Sequence, residues 1–309
     1  VSATATIQSS AISVIGNQPA LVAATTWKGS IDQVRIFSSA LDSTQVESLY
    51  NEVYCVPTIV PTDNFNTVLY TGTGSGSKSV TGVGFQPELV WGKSRNDTIS
   101  HILFDVVRGE NKQLSSNTTG AEVTRASAAY EFDSDGFTVT TAGNLNNAVN
   151  YVAWSWKAGG AAVAAGGTNL TNRLVSANPD AGFSIMTYTG NSSNGTISHE
   201  LTQKPELWIF KNLTNAKPWF TLTNVIDGSV DYAFLNENTG WNNAGQGNST
   251  DTVLTVNNDG GSGFLNANNN NYVAYAWHSV DGYSKIGSYT GTGATGNTIV
   301  TGFRPAFVM

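Results

Sequence analysis

Leu69-Tyr70-Thr71-Gly72, followed after a polar loop by Gly84-Phe85-Gln86-Pro87-Glu88-Leu89-Val90-Trp91-Gly92-Lys93, belongs to a motif that the chain contains three times. The copies are separated by roughly 100–120 residues, which is longer than the repeats of solenoid proteins. Such an interval is typical of a tandem array of whole small domains. The other copies are Met186-Thr187-Tyr188-Thr189-Gly190 with Gln203-Lys204-Pro205-Glu206-Leu207-Trp208-Ile209-Phe210-Lys211, and Ser288-Tyr289-Thr290-Gly291 with Gly302-Phe303-Arg304-Pro305-Ala306-Phe307-Val308-Met309.

A second shared motif marks the end of two repeats, because Tyr151-Val152-Ala153-Trp154-Ser155-Trp156 matches Tyr272-Val273-Ala274-Tyr275-Ala276-Trp277. Alternate residues of a strand face the same side, so Trp154 and Trp156 are predicted to enter one core. The sequence therefore predicts two similar antiparallel β-sandwiches, in residues 65–160 (repeat one) and 183–281 (repeat two). Residues 282–309 are predicted to start repeat three.

The composition favours the same fold class. Charged residues make up only 12% of the 309 residues, and glycine occupies 32 positions. Helix-rich cytosolic proteins carry about twice that share of charge. Frequent Gly, Ser, Thr and Asn favour short strands joined by tight turns. We therefore predict an all-β protein of tandem antiparallel β-sandwich or jelly-roll-like domains, located on a virion or outside the cell.

Charge, apolar runs and cysteine exclude several classes of partner. The net charge of −7 and the lack of a Lys/Arg cluster argue against nucleic-acid binding. No apolar stretch reaches the roughly 18 residues that a membrane span requires, so no membrane insertion is expected. Cys55 is the single cysteine, which excludes an intrachain disulfide and predicts a small buried hydrophobe.

The residues before the repeats have a different pattern. A strand-like run from Trp27 to Phe37 precedes Asp42, which can cap a short helix over residues 43–51 with Gln45 in the reciprocal position. This arrangement resembles the C-terminal end of laminin-G-like, concanavalin-A-like jelly-roll domains. The resemblance implies that residues 1–56 are the last part of such a domain.

Two segments have the composition of linkers. The proline-containing residues 57–64 are predicted to be extended. The glycine- and alanine-rich start of residues 161–182 is typical of a flexible connection. The junction between repeats two and three is short by comparison. We therefore expect repeats two and three to be held more closely than repeats one and two.

Together the repeats resemble tail-fibre-like and other structural proteins of marine tailed phages. The resemblance rests on the Tyr-Thr-Gly opening, the strand entry Gly82–Trp91, the hairpin Phe132–Val139, the closing stretch Tyr151–Gly160 and the stretch His278–Gly291. It implies a non-enzymatic virion component, a tail fibre, appendage or surface-decoration protein with a host-glycan attachment role. Its partners would be other virion proteins and copies of itself, a trimer being favoured by analogy. A bacterial surface adhesin and a polysaccharide-depolymerase fibre are the alternatives.

No catalytic residue, metal ligand or cofactor is expected from the residue pattern. The three histidines occur in no recurrent motif with Ser or Cys, and satisfied structural histidines are the simpler interpretation. Glu88 and Glu206 occupy one position of the repeat, where Ala306 stands in the third copy. We expect solvated or capping carboxylates there rather than a glycosidase pair. The histidines are His101, His199 and His278.

The stretch Asp133-Ser134-Asp135-Gly136 has two interpretations. Alternating carboxylates are typical of half a calcium loop. A hairpin turn with Gly136 at a positive φ is favoured, because no Glu follows to complete a calcium site.

Residues 282–309 contain enough of the motif for about two strands, and an isolated two-stranded hairpin is only marginally stable in water. We expect either that the polypeptide continues beyond Met309 or that these strands pair with repeat two or with a neighbouring subunit.

Two tryptophans are candidates for binding a host glycan. Sugars pack their C–H faces on aromatic rings, and their hydroxyls pair with amide side chains. Trp241 is the first candidate because Asn and turn residues surround it from Asn236 to Asn243, and Trp219 is the second. The competing interpretation is structural for both, because a buried Trp contributes 150–250 Å² to a core.

Overall fold

The computed structural model describes residues 37, 39–50, 59–125, 129–245 and 247–309. The described part of the chain is nearly all β, with antiparallel strands and one short α-helix, as the sequence predicts. Two compact units divide the chain, Val1–Cys55 and Val56–Met309. The predicted laminin-G-like end, apart from its helix and Phe37, and the position of Cys55 lie outside the described residues.

Helix α1 spans Ser43–Tyr50 in the first unit. Its start has the predicted capping box. The Gln45 N–H donates to Asp42 Oδ1 at 2.8 Å, and the Asp42 N–H donates to Gln45 Oε1 at 3.0 Å. Each side chain thus satisfies a backbone donor that the first helical turn leaves free.

Repeat one follows a short 3₁₀ turn at Pro61–Asp63 and consists of two facing sheets. The larger sheet has the order β1-β9-β3-β4-β5-β6, and the smaller one has the order β2-β8-β7. The strands are β1 (Phe65–Thr71), β2 (Ser77–Thr81), β3 (Leu89–Ser94), β4 (Ile102–Asp105), β5 (Lys112–Ser115), β6 (Val123–Thr124), β7 (Tyr130–Asp133), β8 (Gly136–Thr140) and β9 (Asn150–Trp156).

Repeat two has the larger-sheet plan of repeat one with two additional strands at one edge, and the third strand of its smaller sheet lies at the opposite edge. Its larger sheet has the order β10-β12-β13-β20-β15-β16-β17-β18, and its smaller sheet has the order β11-β14-β19. The strands are β10 (Val163–Ala164), β11 (Gly167–Thr168), β12 (Thr171–Asn178), β13 (Phe183–Thr189), β14 (Gly195–Ser198), β15 (Leu207–Asn212), β16 (Phe220–Thr223), β17 (Asp231–Phe234), β18 (Asn242–Asn243), β19 (Val253–Val256) and β20 (Asn271–Trp277).

Strand register is equivalent in the two repeats. The closing strand lies between the opening strand and the strand after the Pro-Glu-Leu motif in both. In repeat one, Trp156 pairs with Phe65 on one side and with Leu89 on the other. In repeat two, Trp277 pairs in the same way with Phe183 and Leu207.

The stacked tyrosines at the other end of these strands are equivalent as well. Tyr70 stacks on Tyr151 with ring centroids 5.0 Å apart, and Tyr188 stacks on Tyr272 at 5.1 Å. Each opening tyrosine donates its hydroxyl to a backbone carbonyl, that of Leu145 or Leu265. The Tyr-Thr-Gly motif therefore recurs because it closes the same end of each sandwich.

Each repeat has an interior core between its two sheets. In repeat one, Phe104 stacks on Tyr130 with centroids 4.2 Å apart, and Val90 and Phe137 are fully buried beside them. In repeat two, Trp208 is fully buried and donates its indole N–H to the Gly247 carbonyl at 3.0 Å. Alternation along each strand sends every second residue into these cores.

A third core joins the two repeats. The other faces of the two larger sheets pack against each other and bury side chains from both repeats, and we call this contact the seam. It includes Trp156, as expected for a residue alternating with the interior positions, while Trp154 lies partly buried at its margin. Its buried members are Leu89, Leu103, Leu114, Trp156, Ala158, Phe183, Ile185, Ile209, Trp219, Val273 and Tyr275.

The expectation of a loose connection between repeats one and two is therefore wrong. Residues 161–182 do not form a flexible linker either, since β12 pairs with β13 over most of its length and β10 pairs with β12. Backbone hydrogen bonds to an existing sheet edge stabilise this segment despite its small side chains. Composition alone does not show that such an edge is present.

Residues 285–309 contain neither strand nor helix, so the two strands expected for repeat three are not formed. The register explains this result. In repeats one and two the opening strand and the third strand do not pair with each other, because both pair with the closing strand between them. A segment with the first two motifs alone has no central strand to pair with.

Candidate functional site

The recurrent glutamates bind the ends of the closing strands. Glu88 Oε2 accepts the Ala158 N–H at 2.6 Å, and Glu206 Oε2 accepts the Ser279 N–H at 2.6 Å. The backbone N–H of each glutamate donates to the carbonyl of the tryptophan that ends the closing strand. These carboxylates therefore cap backbone groups at one equivalent position in each repeat.

Burial raises the pKa of Glu88 to about 7, although the hydrogen bond from Ala158 and the charge of Lys157 oppose the shift. A raised carboxyl pKa is also found in the general acids of glycosidases. Here its largest cause is desolvation, because Glu88 is buried beneath the end of β9. The carboxyl faces backbone rather than an open cleft.

The Asp133–Gly136 stretch forms the predicted hairpin turn between β7 and β8. Asp135 accepts the backbone N–H groups of Gly82 and Gly84 at 3.1 and 2.7 Å, and Asp133 accepts the Thr138 hydroxyl at 2.8 Å. Gly136 has a φ of 149°, and a Cβ there would lie 2.0 Å from the Val80 carbonyl oxygen. The two carboxylates thus bind donors of the fold.

Two of the three histidines are buried and hydrogen-bonded. The ring of His199 lies between the Thr250 carbonyl at 3.1 Å and the Leu201 N–H at 3.1 Å. His278 Nδ1 lies 2.7 Å from the Gln203 side chain. Within the described residues, no group of three or more His, Cys, Asp or Glu side chains is arranged to hold a metal ion.

A buried polar cluster lies within the seam. The Asp105 carboxylate accepts the Arg108 Nε–H at 2.5 Å and the Tyr275 hydroxyl at 2.6 Å. Glu122 lies 3.2 Å from the same guanidinium. Burial tends to lower the pKa of Arg108, but Asp105, Tyr275 and Glu122 outweigh it and raise that pKa above its usual value. The guanidinium therefore stays charged.

Lys211 is a second buried cation at the seam. Its Nζ donates to the Thr119 carbonyl of repeat one at 3.0 Å and to the Lys217 carbonyl at 2.7 Å. Burial lowers the pKa of Lys211 to about 8. The ammonium group thus joins backbone of the two repeats through neutral acceptors.

An open cleft of about 350 Å³ lies beside this cluster, between the two repeats. Arg108, Lys112 and Glu122 line it from repeat one, and Asn172 and Asn271 line it from repeat two. The charged side chains are paired, since Lys112 lies 3.4 Å from Glu122. Polar and apolar side chains both line the cleft, and its residues Val107 and Leu213 also pack against the seam.

Trp241 is 47% exposed and lies immediately before β18. Asn242 next to it donates to the Gly240 carbonyl at 2.8 Å, and Asn236 accepts the backbone N–H of Trp219. The Trp241 side chain is therefore accessible, which a glycan contact would require.

Trp219 does not have the accessible face that the glycan hypothesis requires. It is 1% exposed, and its indole N–H donates to the Ser115 carbonyl of repeat one at 3.0 Å. The prediction of a glycan contact at Trp219 is wrong because the ring is enclosed in the seam. The structural interpretation of Trp219 holds instead.

Sequence reasoning missed the Asp105–Arg108–Tyr275 cluster. Asp105 and Tyr275 are 170 positions apart in the sequence, and no spacing rule connects them. One signal was available, because charged residues directly following the apolar strand Ile102–Phe104 are rare in so uncharged a chain. That signal indicates a buried ion pair but does not identify Tyr275 as its partner.

Fold and geometry define a protein of tandem antiparallel β-sandwiches joined face to face through a shared core. Residues 60–309 match a domain of unknown function, DUF7483, and the chain belongs to this family. No curated protein and no solved structure is similar enough to match. No helix among the described residues is long and apolar enough to span a membrane.

Proposed function

We propose that the chain is a non-catalytic structural component of a phage virion, in a tail fibre, appendage or surface-decoration layer. The seam is the observation that carries this proposal. It joins two domains through a continuous apolar core that also contains a buried ion pair. Such a connection resists bending between domains, and mechanical stiffness is the property that a fibre or a surface layer requires.

The use of the recurrent polar residues supports a structural role. Glu88 and Glu206 cap strands, and Tyr70 and Tyr188 close sandwich ends. A depolymerase would instead need two carboxylates on either side of one sugar bond. These residues repeat because the fold repeats. The resemblance of the strand-entry and hairpin motifs to phage structural proteins supports the proposed virion location.

Particle association tests the location. Antibody raised against residues 60–309 is expected to label tails or particle surfaces when purified phage particles are imaged by electron microscopy. Labelling of the bacterial envelope in uninfected cells would favour the adhesin alternative. If the purified chain is a monodisperse monomer and the antibody labels neither particles nor cells, both the virion and the adhesin interpretations would be contradicted. Sedimentation of the purified chain would report whether copies assemble and whether the trimer favoured by analogy forms.

Host attachment is the second part of the proposal, and Trp241 is its candidate contact. Replacing Trp241 with alanine is expected to lower binding to host cells, or to a responding glycan on an array, by about two- to tenfold. The binding free energy lost with one sugar–aromatic contact should be similar to that of an aromatic pair, which is about 0.5–1.5 kcal/mol. The measurement is binding of labelled protein at several concentrations.

The Tyr289→Ala variant provides the matched control, because Tyr289 is an exposed aromatic residue, 68% accessible, outside the Asn-rich loop. Binding should be unchanged in this variant. Equal binding by wild type and Trp241→Ala, with the fold intact by circular dichroism, would remove Trp241 as a contact. Absence of binding to any glycan or cell would favour a purely architectural role.

A further inference from the structure

The seam covers only part of the outer face of the larger sheet in repeat one. Phe65, Trp91 and Trp154 lie at its margin, where repeat two does not enclose them, and they remain partly accessible. They belong to the same apolar cluster as the seam. We call these three residues the marginal patch.

One side chain from the third motif lies on this patch. The ring of Phe307 is 5.3 Å from Trp154 and 5.5 Å from Trp156, measured between centroids. It is also 6.0 Å from Phe65 and 6.3 Å from Trp91. These are normal separations for interacting aromatic rings. The next residue, Val308, is 81% exposed, so the contact is specific to Phe307.

The position of Phe307 in the repeat motif corresponds to an outer-face position in the other repeats. Phe307 follows Pro305 by two residues, as Leu89 follows Pro87 and Leu207 follows Pro205. Leu89 lies on the outer face of its sheet and is buried in the seam. Phe307 is therefore the outer-face residue of repeat three, and it contacts the outer face of repeat one.

We propose that the marginal patch is the docking surface for repeat three of this chain, which packs there through Phe307 at the outer-face position of its motif. Repeats one, two and three then share one apolar seam. The patch is continuous with an interface that already joins two copies of the same face, which argues for a third copy as the occupant. Phe307, at the motif position that Leu89 occupies in repeat one, makes this contact.

The exposure of the remaining third-motif residues is consistent with the same arrangement. Tyr289 corresponds to Tyr70 and Tyr188, whose rings stack on tyrosines of the closing strands. Tyr289 is exposed because residues 285–309 have no closing strand to stack on. Phe307 is partly buried although its segment has no strand, so docking on repeat one does not depend on formation of the third sheet.

Hydrogen exchange on the chain of 309 residues tests the proposal with three variants. Phe307→Asp places a charge on the patch and is expected to speed exchange of the amides in Phe65–Leu69 by roughly tenfold, since contacts on an edge strand set its local opening. Val308→Asp adds the same charge at an exposed neighbour and should leave exchange unchanged. Phe307→Leu restores the residue type of the other repeats and should retain protection.

Equal exchange in Phe307→Asp and Val308→Asp would overturn the proposal, because Phe307 would then not hold the segment on repeat one. Sedimentation velocity tests whether a second copy of the chain, rather than repeat three, occupies the patch. If the wild-type chain forms dimers that Phe307→Asp abolishes, the patch binds a second copy rather than repeat three of its own chain. A monomer at all concentrations, together with the expected exchange pattern, supports docking within one chain.

Discussion

Replacing Asp105 with alanine is expected to lower the free energy of unfolding by about 3–5 kcal/mol, because it leaves a fully buried guanidinium without its closest counter-ion. Arg108 is enclosed in the seam, and the Tyr275 hydroxyl loses its acceptor at the same time. Glu122 remains near Arg108 but is itself 14% accessible and lies farther away. Urea denaturation followed by tryptophan fluorescence measures the loss.

Lys112→Ala is the matched control for Asp105→Ala. Its ammonium lies 3.4 Å from Glu122 and is 32% accessible, so this ion pair is partly solvated. The expected loss is at most about 1 kcal/mol, because exposed pairs contribute little. If Asp105→Ala were no more destabilising than Lys112→Ala, the cluster would not stabilise the seam. A separate unfolding transition for each repeat in Asp105→Ala would show that the cluster couples the two.

Trp219→Ala is expected to destabilise the protein by about 3–5 kcal/mol, the usual cost of removing a large buried aromatic residue. The substitution opens a cavity between the repeats and leaves the Ser115 carbonyl without its indole donor. Thermal and urea unfolding both measure this effect.

Trp241→Ala gives the comparison, since it removes the same side chain from a surface where it is 47% exposed. Its effect on unfolding should be within about 0.5 kcal/mol, as for most surface substitutions. Similar losses for the two variants would contradict the different placement of the two indoles. The comparison also shows whether any change in glycan binding by Trp241→Ala occurs without a change in stability.

Local features were predictable because their causes are local. The helix start depends on Asp42 and Gln45, which are three residues apart and meet in one turn. The hairpin at Gly136 depends on one residue that tolerates a positive φ. The exposed position of Trp241 is consistent with the amide and turn residues on both sides of it. Each of these patterns contains its own partners within a few positions.

The candidate site was only half predictable, and the two tryptophans show why. Trp219 and Trp241 both follow turn-forming residues, so local pattern does not distinguish them. Their difference comes from repeat one, which supplies the Ser115 carbonyl that binds Trp219. A residue more than a hundred positions away thus determines which indole is accessible.

By itself the sequence determined the recurrence of the opening and closing motifs, the all-β class and the equivalence of the glutamates and tyrosines. Repetition and alternation are properties of order along the chain. Only the tertiary structure decided that the repeats pack face to face, that residues 161–182 join a sheet, and that Asp105, Arg108 and Tyr275 meet. Alternation shows that a strand has two apolar faces, but the same pattern fits any apolar partner. The partner is chosen by the packing of the two apolar faces and by the hydrogen bonds that cross between them, from Tyr275 to Asp105 and from Lys211 to the Thr119 carbonyl.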